Sequence, residues 1–155
     1  MTKEEVDHVR EAQPIDLRVK VFMKIAERRL VLVENPQAPP SKDDDDWGAL
    51  PRGSRTDMLR QYNRAIEEAI TNFEEAYDRH PKDERILKAL TTFTEQTAEH
   101  LQRLEALRPT TTDEAARQVL EQVLDDLKLA YEDARQSEEQ FKLEQEQRKK
   151  EKKKS

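Results

Sequence analysis

The sequence predicts an all-α protein: an antiparallel up-down four-helix bundle with a short N-terminal helix and a projecting C-terminal helix. Three observations carry this. Only two glycines occur in 155 residues, and the seven prolines fall between apolar segments rather than inside them; hairpin-rich sheets need more turn glycine than that. In the last three segments the apolar positions recur at alternating intervals of three and four, the seam of a left-handed bundle. The turns joining these segments are a few residues long, which sets neighbouring helices antiparallel.

Thr2–Ala12 is a short, weakly apolar stretch of one to three turns, broken by Gln13-Pro14. Ile15–Glu34 (IDLRVKVFMKIAERRLVLVE) is a strong helix. Pro14 suits its first turn and Asp16 complements its dipole. Its apolar residues cover more than one stripe, so it is buried on two or more sides as a full member of the bundle. Asn35-Pro36 ends it. A loop over residues 36–53 follows, holding four prolines, four consecutive aspartates and both glycines.

Ser54 then reads as an N-cap, with Asp57 three residues on as a weak capping box. The helix from Arg55 to about Arg79 carries Leu59, Tyr62, Ile66, Ala69, Phe73 and Ala76 on its seam. His80-Pro81 forces a turn. The next helix, to about Leu107, carries Leu87, Leu90, Thr94, Thr97, Leu101 and Leu104. Pro109 marks a further turn, with Thr112 or Asp113 as N-cap. The last helix carries Ala116, Leu120, Val123, Leu127, Ala130 and Ala134. Leu90, Leu101 and Leu120 are predicted to be largely buried. The chain thus divides into an arm over 1–14, a bundle over 15–136 and a polar extension with a basic tail over 137–155. The seam fades after Ala134, so about one third of the last helix is expected to project or fray.

Charge is unevenly placed. Arg148–Ser155 (RKKEKKKS) holds six basic residues and one acidic; the remaining residues hold 22 basic and 33 acidic, a net −11. An acidic body makes a poor general nucleic-acid binder, because it repels phosphates. The basic run suits the negative pole of a helix dipole, or contact with an anionic partner. Leu17 to Val33, the most apolar run, is interrupted by six charged residues, so no transmembrane insertion is expected. The first dozen residues lack the apolar core of a signal peptide. As written the chain stays in the cytoplasm; a removed export signal would place it in the periplasm.

Chemistry is scarce. Without cysteine there is no disulfide, thiolate nucleophile or thiolate metal site. A di-iron bundle needs Glu-x-x-His on two helices plus two further glutamates. Only Glu5-x-x-His8 fits, so no metal or cofactor is expected, and all three histidines read as surface residues. Asp43–Asp46 lack the alternate spacing and terminal Glu of a calcium loop and read as a solvated acidic loop. No serine sits in a nucleophile elbow. No enzyme is expected.

Five residues remain as candidate sites. Trp47, the only tryptophan, either tucks back onto the bundle or anchors a partner. Phe141 and Leu143 are the apolar residues of the polar extension and are candidate partner contacts. Self-association through them should depend on concentration and only modestly on salt. Thr94 and Thr97 either bond back to the preceding turn or line a polar cavity for a small ligand.

Ala69, Ile70, Phe73, Ala76, Tyr77 and Pro81 resemble the second helix of a tetratricopeptide repeat over 13 residues. The resemblance stops there: the following helix runs unbroken for about 26 residues, against the short helices of a ~34-residue repeat. IDLRVKVFMKIAERRLVLV resembles the opening helix of uncharacterised helical proteins from soil bacteria, often made with an export signal. That resemblance implies no activity and points to a periplasmic setting. The sequence therefore favours a non-enzymatic interaction or structural module, with a protein partner or self-association. A small-ligand-binding or sensing bundle with a Thr-lined interior is the alternative.

Overall fold

The computed structural model describes residues 1–154. Six helices follow one another: α1 (Lys3–Glu11), α2 (Ile15–Glu34), α3 (Asp44–Trp47), α4 (Arg55–Arg79), α5 (Glu84–Glu105) and α6 (Glu114–Lys154). Among the described residues there is no strand. Side-chain oxygens satisfy free N–H groups at the starts of α1, α4, α5 and α6. Thr2 and Glu5 form a reciprocal capping box at α1. Ser54 accepts from the Asp57 N–H at 3.1 Å, and Asp83 from the Arg85 N–H at 3.0 Å. Of the two residues expected to cap α6, Asp113 does so, accepting from the Ala116 N–H at 3.0 Å.

The four long helices alternate in direction. Arg18 near the start of α2 donates to Asn72 near the end of α4 at 2.8 Å, and Arg55 at the start of α4 donates to the Val33 carbonyl at 2.9 Å. These helices are therefore antiparallel neighbours. Arg103 and Glu34 join the C-terminal ends of α2 and α5, which run parallel. The helix α2 lies beside α4 and α5, and α6 lies beside the same two. Consecutive α4 and α5 sit on a diagonal and barely touch. A short turn thus fixes their opposite directions without making them neighbours.

The core sits between these helices. In α6 every predicted seam position from Ala116 to Ala134 is buried. In α5 the buried arc is shifted and wider. Leu90, Thr94, Thr97 and Leu104 are buried as predicted, but so are Ile86, Ala89, Phe93 and His100, while Leu87 and Leu101 are only half-buried. The cause is that α5 faces both α2 and α6, so one narrow seam does not describe it. The histidines need correction on the same ground: His100 is 3% exposed rather than on the surface.

The helix α6 projects as expected, but the projecting part begins beyond Phe141 rather than at residue 137. Residues 114–141 already span the length of α4 at 1.5 Å per residue. Phe141 therefore reaches the far end of the bundle and is 3% exposed within the core. Glu138 reaches Thr94 at 3.2 Å. Partly buried positions recur as far as Arg148, and residues 149–154 are exposed throughout. The acidic loop is likewise not merely solvated. It folds into α3, where Asp43 pairs with Lys24 at 2.6 Å and Asp44 with Arg28 at 3.1 Å.

Candidate functional site

A groove of about 510 Å³ opens where α4 ends, α5 begins and α6 passes between them. Its floor is Ile86, Leu90, Phe93's neighbour Phe73, and Phe141. Phe73 meets Phe93 edge to face, with ring centroids 5.5 Å apart, an orientation that brings a positive ring edge onto a π face. The diagonal step from α4 to α5 leaves this end uncovered. Phe73 and Ala76 are only half-buried in consequence, and Tyr77 is 50% exposed on the groove wall. Every charged residue lining the groove is acidic: Glu74, Asp78 and Glu144.

The predicted site residues fall in different places. Phe141 lines the groove from beneath, so it forms part of the floor rather than a projecting anchor. Leu143 is 60% exposed, on the outer side of the same helix turn. Trp47 lies at the opposite flank, tucked against the bundle and stacked on His8 with ring centroids 3.9 Å apart. Thr94 and Thr97 line none of the main grooves. The Thr97 hydroxyl donates to the Phe93 carbonyl at 2.7 Å, and that of Thr94 to the Thr91 carbonyl at 3.1 Å. Both threonines thus bond back to the preceding turn.

Two buried polar networks escaped the sequence reading. In the first, Glu5 on α1 is fully buried between Arg28 and Arg29 of α2. Arg28 Nη1 lies 2.6 Å and Arg29 Nη2 2.8 Å from its carboxylate. Arg28 also donates to the Trp47 carbonyl at 3.0 Å and to the Gly48 carbonyl, while the Thr2 hydroxyl donates to Trp47 at 2.5 Å. Gly48 has φ +80°, a backbone conformation in which a side chain is strained. Burial pushes the Glu5 carboxyl up, but bonds from Arg29 and the Thr2 N–H, with the charges of both arginines, hold it below the usual carboxylate range. The Thr2–Glu5 spacing is a capping-box signature and marks the helix start, though not the burial.

In the second network, His100 joins three helices. Its Nδ1 lies 2.9 Å from the Tyr62 hydroxyl, and its Nε2 2.9 Å from Glu27. Arg103 donates to Glu27 at 2.7 Å and to Glu34 at 2.5 Å. The bond from His100, with help from Arg103, lowers the Glu27 carboxyl to about 2 against the cost of burial. Burial and the Glu27 charge raise Tyr62, which keeps its proton. With Glu27 ionised, Nε2–H donates to it and Nδ1 accepts from the Tyr62 O–H. Tyr62 is fully buried, so this relay meets no solvent or substrate at its phenol end.

Among the described residues, no group of three or more histidines and carboxylates is placed to hold a metal ion. No helix is long and apolar enough to cross a membrane. No protein-family model, curated protein or solved structure matches the chain.

Proposed function

We propose that the protein is a non-enzymatic helical interaction module, and that the groove bounded by α4, α5 and α6 is where it meets its partner. One observation carries this reading: an apolar floor left open at one end of an otherwise closed bundle, with an acidic rim. Such a surface favours an apolar side chain carried on a basic segment, since burial supplies the attraction and the rim supplies orientation. The buried polar networks support the reading from the other side. Their groups are satisfied within the fold, which leaves them the role of holding helices in place.

Photo-crosslinking tests the proposal. A crosslinker in place of Gln140, on the groove wall, is expected to form adducts in cell extract. The same group in place of Arg117, exposed at the far end of α6, is expected to form none. Adduct mass separates a second copy from another protein. An absence of adducts at position 140 would overturn the groove as a contact surface.

A further inference from the structure

We propose that the groove receives an arginine of another protein, its guanidinium laid on the Tyr77 ring between the carboxylates of the two walls, with an apolar neighbour of that arginine on the floor. The inference rests on the interaction reading of the groove and names the chemistry of its partner.

The chain holds eight phenylalanine, tyrosine and tryptophan residues, and seven of them have another ring or a cation against them. Two pairs lie inside: Phe73 meets Phe93, and Tyr62 meets His100. Nearer the surface, Trp47 stacks on His8. Arg18 lies over Phe22 at 6.0 Å from the ring centroid, Arg135 over Tyr131 at 6.0 Å and Arg148 over Phe141 at 5.9 Å. Arginine over an aromatic face is thus the recurrent cover for the outer rings of this fold. The ring's negative face and the weak hydration of the guanidinium favour the contact. Tyr77 is the exception. It is 50% exposed, and among the described residues neither a ring nor a cation lies against it.

The cause is local sequence. Arg18 and Arg135 reach their rings from four residues away and Arg148 from seven, along one face of the helix. The neighbours of Tyr77 at three and four residues are Phe73, Glu74, His80 and Pro81, with no lysine or arginine among them. What stands beside Tyr77 is acid. Glu74 and Asp78 share its wall of the groove on α4, and Glu144 stands on the α6 wall. None of the three makes an ion pair among the described residues. Arg148, at the outer end beside Glu144, balances one of these charges at most, so the groove keeps an excess of negative charge. An open π face flanked by unpaired carboxylates is the complement of a cation, and a cation from outside the chain completes it.

Arginine fits this place better than lysine. Its planar fork lies flat on a ring while its N–H groups point outward to carboxylates on both walls, whereas a lysine ammonium is a compact, strongly hydrated point charge. Beside Tyr77 the floor of Ile86 and Leu90 is apolar and takes the side chain next to the arginine. The groove's volume of about 510 Å³ admits both side chains. Along α4 the groove runs only from Phe73 to Asp78, ~8 Å of helix. It therefore reads one anchored arginine and its neighbour rather than the length of a helix, and affinity is modest.

Fluorescence anisotropy of the full chain with a labelled Leu-Arg-Leu-Leu-Arg-Leu peptide tests this, against versions with lysine or the neutral isostere citrulline in place of arginine. The citrulline version is expected to bind about tenfold more weakly, and the lysine version about threefold. Tyr77→Leu keeps an apolar side chain without the π face. It should weaken the arginine peptide about threefold and leave the citrulline peptide unchanged, while Tyr77→Phe should bind as the native chain does. Glu74→Gln with Asp78→Gln should cost about tenfold. Asp125→Asn with Glu132→Gln, exposed elsewhere on α6, removes the same charge and should cost less than about twofold. All these variants change exposed residues, so circular dichroism should stay the same. The inference is overturned by equal binding of the arginine and citrulline peptides, by a Tyr77→Leu chain that binds normally, by equal losses in the two acid variants, or by no binding below ~1 mM. An adduct at position 140 of twice the chain's mass overturns it too, since a second copy then fills the groove. Adducts with another protein, from a chain indifferent to arginine, would leave the interaction reading standing and remove only this one.

Discussion

The two ends of the bundle are built from different chemistry. Where α2 ends and α6 begins, charge is paired: Glu5 is buried with Arg28 and Arg29, and the half-buried Glu27 meets His100 and Arg103. These groups tie α1 to α2 and, with Tyr62, hold α2, α4 and α5 together. Where α4 ends and α5 begins, the apolar floor is open and its carboxylates lack cations. The difference teaches that satisfied charge closes one end of this fold, whereas unsatisfied charge beside apolar surface leaves the other end available for binding.

Substitutions can break that contrast. The largest effect is expected at Glu5. Glu5→Ala leaves two buried guanidinium groups short of their shared partner, and breaking a buried pair this way costs about 3–5 kcal/mol. Urea unfolding should show this; a loss below ~1 kcal/mol would mean that the arginines find other partners and that this end is not fastened by Glu5. Next come two core truncations, one at each end. Leu104→Ala, at a fully buried position of the fastened end, should cost about 3–4 kcal/mol. Phe141→Ala removes a larger side chain but opens onto the groove, where the site can fill with water, and should cost about 2 kcal/mol. The reverse order in chemical melts would show that the groove end is as tightly packed as the other.

A smaller effect is expected from Tyr62→Phe, which removes the donor to His100 Nδ1 and leaves that nitrogen buried without a partner. The cost should be about 1–2 kcal/mol, with the ring packing kept. Acid supplies the gentlest perturbation. Glu27 and Glu5 both titrate lower in the folded chain than their ordinary 4.5. Their contribution is therefore complete above that pH and is lost as pH falls through it toward about 2, the folded value of Glu27. Because Trp47 stacks on His8 of α1 and is gripped by Arg28, its fluorescence should change in this window before the far-UV helix signal falls. Simultaneous loss of both signals would show that the fastened end does not open separately.

Periodicity was a sound guide wherever one helix faces one direction. The α6 seam is the clear case, since each position from Ala116 to Ala134 meets the interior. It was a poor guide in α5, which packs on two sides, and blind to pairs that form across the chain. His100 looks like a surface residue beside Glu99 and Leu101. Its burial depends on Tyr62 and Glu27, which come from other helices. Arg28 and Arg29 read as interruptions of an apolar run, because nothing near them in sequence announces Glu5. The groove was half visible: Phe141 and Leu143 stood out against a polar extension, but the floor beneath them comes from the diagonal placement of α4 and α5, which turn length alone does not determine.

That diagonal has a consequence for how the chain assembles. The pairs α2–α4 and α5–α6 are each a side-by-side antiparallel hairpin, and the turn at residues 80–83 joins them corner to corner. Each hairpin can collapse on its own contacts before the two meet. The α5–α6 hairpin closes over a much shorter connection than the 20 residues between α2 and α4, so the entropy of closure favours it as the earlier unit. A chain severed within residues 80–83 keeps both hairpins whole. The two pieces should then find each other in solution and rebuild the bundle from separate strands of polypeptide.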